Sequence, residues 1–127
     1  KAPGKRGNQQ SAALTEFVDI FPTLCDLAEL PKPQQLVGDS FAPLLDNPDR
    51  DWKPAVFSRW YAGETVKTER YAYTEWTTEE GERYARMLYD HQNDPNENVN
   101  IVEKPENAAV VKQLKEMLHK GPEHLSF

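Results

Sequence analysis

Between Ala55 and Asp90 the chain repeatedly shows the two-residue alternation of a pleated strand, broken only by short polar stretches. Connections that short permit antiparallel pairing, whereas a parallel pair needs a crossover of a dozen residues or more. The clearest run is Arg70-Tyr71-Ala72-Tyr73-Thr74-Glu75-Trp76. Tyr71, Tyr73 and Glu75 fall on one face; Arg70, Ala72, Thr74 and Trp76 fall on the other. Its aromatic residues suit a half-buried pleated surface. Ala55 to Ser58 and Glu64 to Thr68 read as preceding strands. Glu79-Glu80-Gly81-Glu82 reads as a polar hairpin loop, and Arg86 to Asp90 as the next strand. The expectation is an antiparallel sheet of three or four strands.

A turn through Asn93-Asp94-Pro95-Asn96 follows, with Pro favoured at its second position. Pro105 then opens a helix predicted to run to about Lys120, stopped by Gly121-Pro122. Val110, Val111, Leu114, Met117 and Leu118 form its apolar stripe. One helix covers one face of the sheet, so the other face must meet something else or stay wet. Upstream, Leu14 to Val18 alternates and reads as a strand. Asp19 reads as a helix N-cap with Pro22 in the first turn, and the helix continues through Ala28 until Pro31 and Pro33. Gly38-Asp39-Ser40 is a turn, and Ser40 can cap a short helix, Phe41 to Leu45, ended by Asn47-Pro48-Asp49. The fold class is α+β: a small antiparallel sheet with a C-terminal helix, preceded by a helical segment. The expected division is 1–50 and 51–127.

The chain has 127 residues, which suits a small core, and a formal net charge of −6. That acidity argues against a nucleic-acid partner or an anionic membrane. A basic contact to a sulfated or phosphorylated ligand has to be local. No apolar run approaches the ~20 residues that span a bilayer. Lys1 to Gln10 are polar and basic, unlike a signal peptide, and the first residue is not Met, so a start inside a longer protein is expected.

Complete chemical sites are missing. His91, His119 and His124 share no metal-ligand spacing with each other or with Cys25, the only cysteine. Cys25 lies on the apolar-rich first helix and reads as a buried structural thiol. There is no Gly-rich phosphate loop and no Gly-x-Ser-x-Gly elbow. Glu79, Glu80 and Glu82 read as a solvated turn.

Three segments, in order, carry a family resemblance. Val18-Asp19-Ile20-Phe21-Pro22-Thr23-Leu24-Cys25-Asp26-Leu27-Ala28, followed by Gly38-Asp39-Ser40-Phe41-Ala42-Pro43-Leu44-Leu45, resembles a paired sulfatase pattern. Thr68 to Trp76 resembles a strand pair of the same family. Leu88-Tyr89-Asp90-His91-Gln92-Asn93-Asp94-Pro95-Asn96-Glu97-Asn98-Val99-Asn100 resembles a signature near the end of sulfatases. Together they cover roughly residues 12 to 118. The Tyr73-Thr74-Glu75-Trp76 and Tyr89-Asp90-His91 stretches look most like the iduronate-2-sulfatase branch. These residues read as scaffold, with Glu97 and Asn100 satisfying backbone amides at the Asp94-Pro95 turn.

The resemblance implies membership of the alkaline phosphatase superfamily. Residues 1–50 would be the end of its large α/β domain, and 51–127 its C-terminal subdomain. It implies hydrolysis of sulfate esters, on a sulfated carbohydrate, by a parent enzyme using a formylglycine and calcium. Those motifs lie upstream in the family, and Cys25, followed by Asp26-Leu27, does not fit the formylglycine pattern. No catalytic or metal residue is therefore carried over, and the chain alone is expected to be inactive. Its implied partner is the N-terminal catalytic part of the same protein, in a periplasmic, secreted or lysosomal setting.

Two departures stand out. Glu29 occupies a helix end where the family often has Gly, which predicts a different or strained exit. Ser58-Arg59-Trp60-Tyr61-Ala62, followed by a short turn at Gly63, replaces the Ser-Gln-Tyr-Pro-Arg run of the iduronate branch. Arg59 and Trp60 are the expected substrate contacts: Arg could grip a sulfate or carboxylate with paired hydrogen bonds, and Trp could stack on a sugar ring. The competing reading packs Trp60 into the core and pairs Arg59 with a neighbouring Glu. Two other readings of the chain stay open, the end of a phosphodiesterase or phosphonate hydrolase, and a stand-alone carbohydrate-binding module.

Overall fold

The computed structural model describes residue 2 and residues 4–121. Its contacts divide the chain into two units, Lys1–Lys53 and Pro54–Phe127. His124 and Pro122 lie outside the described residues.

In the first unit, α1 (Ile20–Leu27) follows a 3-10 turn at Phe17–Asp19, and a second 3-10 turn spans Ala42–Leu45. The strand expected over Leu14 to Val18 does not form; residues 11–16 are irregular. Among the described residues this unit has no strand to pair with, and the Asp19 carboxylate takes the Glu16 amide instead, at 2.9 Å. Asp19 also makes no cap bond to α1. Fully buried, it accepts hydrogen bonds from the Asp39 amide at 2.8 Å and from Lys53 Nζ at 2.6 Å. Thr23, one turn later, accepts the Phe41 amide at 2.9 Å and donates to the Asp19 carbonyl. Asp19 and Thr23 thus hold the returning strand of chain at two points. Gly38 immediately precedes the first of those points, and any Cβ there would collide with the Val18 carbonyl. This explains why the Val-Asp-Ile-Phe-Pro-Thr and Gly-Asp-Ser-Phe motifs occur as a pair. Burial pulls the Lys53 ammonium down. The hydrogen bond it donates to Asp19 and the charges of Asp19, Glu16 and Asp39 outweigh it and hold the group above the usual lysine value.

The exit of α1 is the strained one of the two expected alternatives. Leu30 N–H bonds to Cys25 O at 2.9 Å and Glu29 N–H to Asp26 O at 3.2 Å, with Glu29 at φ 55°. This paired pattern is the glycine-type helix stop, built here on a residue with a Cβ. Replacing Glu29 with Gly is expected to stabilise the unit by about 0.5–1 kcal/mol, since the left-handed penalty disappears and Gly's larger unfolded-state entropy only partly offsets it. Urea unfolding of the variant checks this, and an unchanged or lower midpoint would refute it.

The second unit is a four-stranded antiparallel meander in the order β1-β2-β3-β4: β1 (Ala55–Trp60), β2 (Gly63–Thr68), β3 (Tyr71–Thr77) and β4 (Arg83–Asp90). It is followed by a 3-10 turn, Pro105–Asn107, and α2 (Ala108–Lys120). Phe57, Val66, Tyr73 and Leu88 stand opposite one another across all four strands. Val111, Leu114 and Leu118 of α2 close over that row, with Val110 and Met117 flanking. The predicted helix stripe and sheet face therefore meet as one core. β4 begins three residues earlier than its apolar pattern suggests, because Arg83-Tyr84-Ala85 is exposed and carries no alternation of hydrophobicity.

Gly63 is not a turn residue. It is buried as the first residue of β2, opposite Trp60 and Trp76, while Tyr61 and Ala62 form the turn. A Cβ on Gly63 would come within 2.7 Å of Trp76 Nε1, so the indole of β3 lies where a side chain would stand.

Candidate functional site

The β1–β2 hairpin tip carries both expected contact residues. Successive strand residues face opposite ways, so Arg59 and Trp60 lie on opposite faces of β1. Trp60 is 76 % exposed and is not part of the core. Arg59 Nε donates to the Tyr61 carbonyl at 3.3 Å, and its Nη1 lies 3.7 Å from Glu64 Oε1. The neighbouring-Glu pairing considered for Arg59 is therefore present, and its grip on the hairpin is weak and solvated. Tyr61, not among the expected contact residues, is 82 % exposed and sits at φ 50°. Its ring meets Trp60 edge to face, with centroids 4.9 Å apart. Left-handed backbone at a non-glycine residue, costing on the order of 1–2 kcal/mol, presents two large aromatic rings to solvent. The only sequence signal for it was adjacency: two aromatics in the two positions just before Gly63 and Ala62 leave no buried place for both.

A second polar group is built on Glu75, which is 4 % exposed. Its carboxylate accepts from Tyr73 Oη at 2.6 Å and Arg83 Nη1 at 3.0 Å, and His119 Nε2 lies 2.8 Å from it. Burial pushes this carboxyl up, and the hydrogen bonds from Tyr73, His119 and Arg83 outweigh burial, so it lies below the ordinary glutamate value. Burial, then the Glu75 bond, pushes the Tyr73 phenol well above its ordinary value. The phenol, the carboxylate and the imidazole hold the last turn of α2 against the sheet. The two-residue period places Glu75 on the Tyr73 face, whereas its burial and its partners Arg83 and His119 depend on the fold.

The Leu88–Asn100 signature proves to be a connected network. Asp90 accepts a bidentate pair from Arg70 at 2.9 and 2.7 Å, the Gln92 amide at 3.1 Å and Asn93 Nδ2 at 2.7 Å. Asp94 takes the Val99 amide at 2.8 Å. Asn100 accepts from the Leu88 and Val102 amides and donates to the Arg86 carbonyl, occupying the outer edge of β4. Glu97 departs from expectation: its carboxylate pairs with His91 Nε2 at 2.7 Å, and its own backbone is left-handed at φ 54°.

The Arg70 bond, against a smaller opposing effect of burial, holds the Asp90 carboxyl down at about 2. The folded value lies below the unfolded one, so this carboxylate stabilises fully above about pH 4 and the contribution is lost as pH falls toward 2. Chemical unfolding followed from pH 6 to 2 is expected to show a shallower acid limb in Asp90→Asn than in the wild type. Parallel limbs would remove this assignment.

Among the described residues no group of three or more His, Cys, Asp or Glu side chains could hold a metal ion. Cys25 is buried on α1. Among the described residues no helix is long and apolar enough to cross a membrane.

Residues 1–124 match the family model described as N-sulphoglucosamine sulphohydrolase, C-terminal. The chain belongs to this sulfatase family. It is 32% identical over 110 residues to the delta 4,5-hexuronate-2-O-sulfatase of Bacteroides thetaiotaomicron, covering 80% of this chain and 22% of that protein. It is 34% identical over 110 residues to arylsulfatase K of Gallus gallus, covering 78% and 21%. The chain thus spans about a fifth of the length of these curated relatives. Among solved structures, a proposed sulfatase from Bacteroides thetaiotaomicron superposes with a TM-score of 0.77 at 31% identity, over 92% of this chain and 27% of that one. A phosphonate monoester hydrolase of Agrobacterium radiobacter superposes with a TM-score of 0.67 at 27% identity, over 84% and 24%. In a sulfatase C-terminal domain, the three sequence signatures become the Asp19–Lys53 lock, the β3 strand with Glu75, and the Asp90–Asn100 network.

Proposed function

We propose that this chain is the C-terminal part of a sulfatase that hydrolyses sulfate esters on a sulfated carbohydrate. It shapes the substrate pocket, and the reacting groups, including any formylglycine and calcium, belong to an N-terminal catalytic part. The observation that carries this reading is the uncovered apolar surface of the first unit. Phe17 is 92 % exposed, Leu24 57 %, Phe21 53 % and Ile20 42 %, all on one short segment. A surface of this kind marks an interface rather than a solvated helix. The share of each relative that the chain covers supports its occupant being the rest of a sulfatase, and the name of the hexuronate-2-O-sulfatase supports a sulfated sugar as substrate class.

The test is sulfate release from 4-nitrophenyl sulfate by the intact protein, compared with Phe21→Asp/Leu24→Asp. Wild-type activity and its loss in the variant are expected; an inactive wild type sinks the reading. The likeness to a phosphonate monoester hydrolase favours one second reading, hydrolysis of phosphonate monoesters. Faster turnover of a phenylphosphonate monoester than of the aryl sulfate would select it.

Trp60 and Tyr61 are placed in this reading as an aromatic wall for the sugar, with Arg59 turned to the other face of β1. Trp60→Ala is expected to raise KM for a sulfated disaccharide about tenfold, or ~1.4 kcal/mol, with kcat within twofold. An equal fall in kcat, or no change in KM, counts against a binding role.

A further inference from the structure

Two adjoining clefts of about 390 and 380 Å³ lie at the outer edge of β4 and share Arg83, Arg86, Val102 and Glu103 as a common wall. In a chain of net charge −6, five cationic side chains converge there: Arg83, Arg86, Lys104, Lys112 and Lys115. Only two carboxylates answer them. Glu103 binds Arg86 at 2.9 and 2.8 Å, and the buried Glu75 binds Arg83. Lys104, Lys112 and Lys115 have no carboxylate partner among the described residues. Glu106 and Glu116, on the same turn and helix, do not line the cleft. Three unanswered ammonium groups on one wall repel one another, and that repulsion is relieved by a polyanion.

The adjoining cleft adds shape. The register between β3 and β4 shifts beyond Trp76, so that Thr77 pairs with Arg83 while Trp76 pairs with Ala85. Tyr84 is the extra residue, 62 % exposed, and it lines the cleft beside Arg83 and Arg86. Bulges re-aim side chains in this way. A flat ring beside two guanidinium groups in one cleft, and free lysines in the cleft that shares those guanidinium groups, match a saccharide bearing several anionic substituents.

We propose that this paired cleft is a binding site for a sulfated oligosaccharide, separate from the Trp60–Tyr61 hairpin tip. The anionic charge of the ligand follows from the cleft; its being a saccharide rests on the sulfatase reading above. The lysines supply long-range, salt-sensitive attraction, Arg83 and Arg86 supply planar donors, and Tyr84 supplies an apolar face.

Isothermal titration of the intact protein with a heparin hexasaccharide, its fully desulfated counterpart, inorganic sulfate and a single-stranded DNA hexamer tests this. The heparin hexasaccharide is expected to bind at least tenfold more tightly than the other three, and to weaken at least tenfold between 50 and 200 mM salt. Lys104→Gln/Lys112→Gln/Lys115→Gln is expected to lose at least tenfold, while Lys67→Gln, an exposed lysine of β2, stays within twofold. The three lysines make no ion pair, so the triple variant should keep its unfolding midpoint; if it does not, Tyr84→Ala is read in its place and should lose at least threefold. Unchanged binding in the variant, or equal binding of the DNA, the desulfated sugar or inorganic sulfate, overturns the proposal. Sulfate release from 4-nitrophenyl sulfate by the wild type is measured separately: its absence sinks the sulfatase reading and leaves the cleft measurement intact.

Discussion

Asp19→Ala is expected to destabilise the first unit by about 3 kcal/mol, the cost of removing one partner from a buried ion pair. Three donors lose their acceptor together: the amides of Glu16 and Asp39 and the ammonium of Lys53. The carboxylate itself is fully buried, so water does not already share these bonds. Asp19→Asn should be nearly as costly. An amide offers one acceptor oxygen, while donors approach both carboxylate oxygens, so one of them would face an N–H group. Lys53→Met added to Asp19→Ala should recover part of the loss, since it removes an ammonium left with only the more distant Glu16 and Asp39 carboxylates, each at 3.5 Å. Urea unfolding of the wild type, Asp19→Ala, Lys53→Met and the double variant closes the cycle. If Asp19→Ala unfolds within 1 kcal/mol of wild type, the lock is not what holds residues 38–41 to the 3-10 turn.

Leu88→Ala is expected to cost the second unit about 3 kcal/mol, within the 2–5 kcal/mol range for emptying a packed leucine site. Leu88 has no exposed surface and stands in the row with Phe57, Val66 and Tyr73, beneath Leu114 and Leu118. Its backbone is tied at both sides, by Asn100 Oδ1 on its amide and by the Ile101 amide on its carbonyl. The strand therefore has little freedom to collapse into the void. Tyr89→Ala on the opposite face, where the side chain is only half-buried, should cost clearly less. Equal losses at the two positions would mean that the two faces of β4 are packed alike.

Much of the second unit was legible because its patterns are local. The alternation of Tyr71, Tyr73 and Glu75 survives in the structure because a strand's faces follow from its two-residue period whatever its neighbours are. The α2 stripe was legible for the same reason at a period of 3.6. The first unit was harder. Leu14 to Val18 alternates as a strand would, but a strand exists only when another strand supplies its hydrogen bonds, and none does. Asp19 has the residue type and position of an N-cap, yet its partners are 20 and 34 positions away. Burial and long-range donors overrode the local preference.

The candidate contact sites divide along the same line. The aromatic and basic character of Arg59-Trp60-Tyr61 is written in the chain, and so is its departure from the related branch. That Tyr61 rather than Gly63 makes the turn was not legible, because it depends on the Trp76 indole crossing over Gly63 from another strand. The cleft at β4 is the extreme case. Its lysines and arginines are scattered over residues 83 to 115, among acids that make the chain acidic overall. Residue order sets their number and approximate periodicity. Their convergence arises because α2 packs along the Val66–Tyr73–Leu88 row while Asn100 pins the intervening segment to the edge of β4. Short-range periodicity and turn chemistry belong to the chain. Which charges become neighbours belongs to the packing, because electrostatic free energy depends on distances that only the assembled core sets.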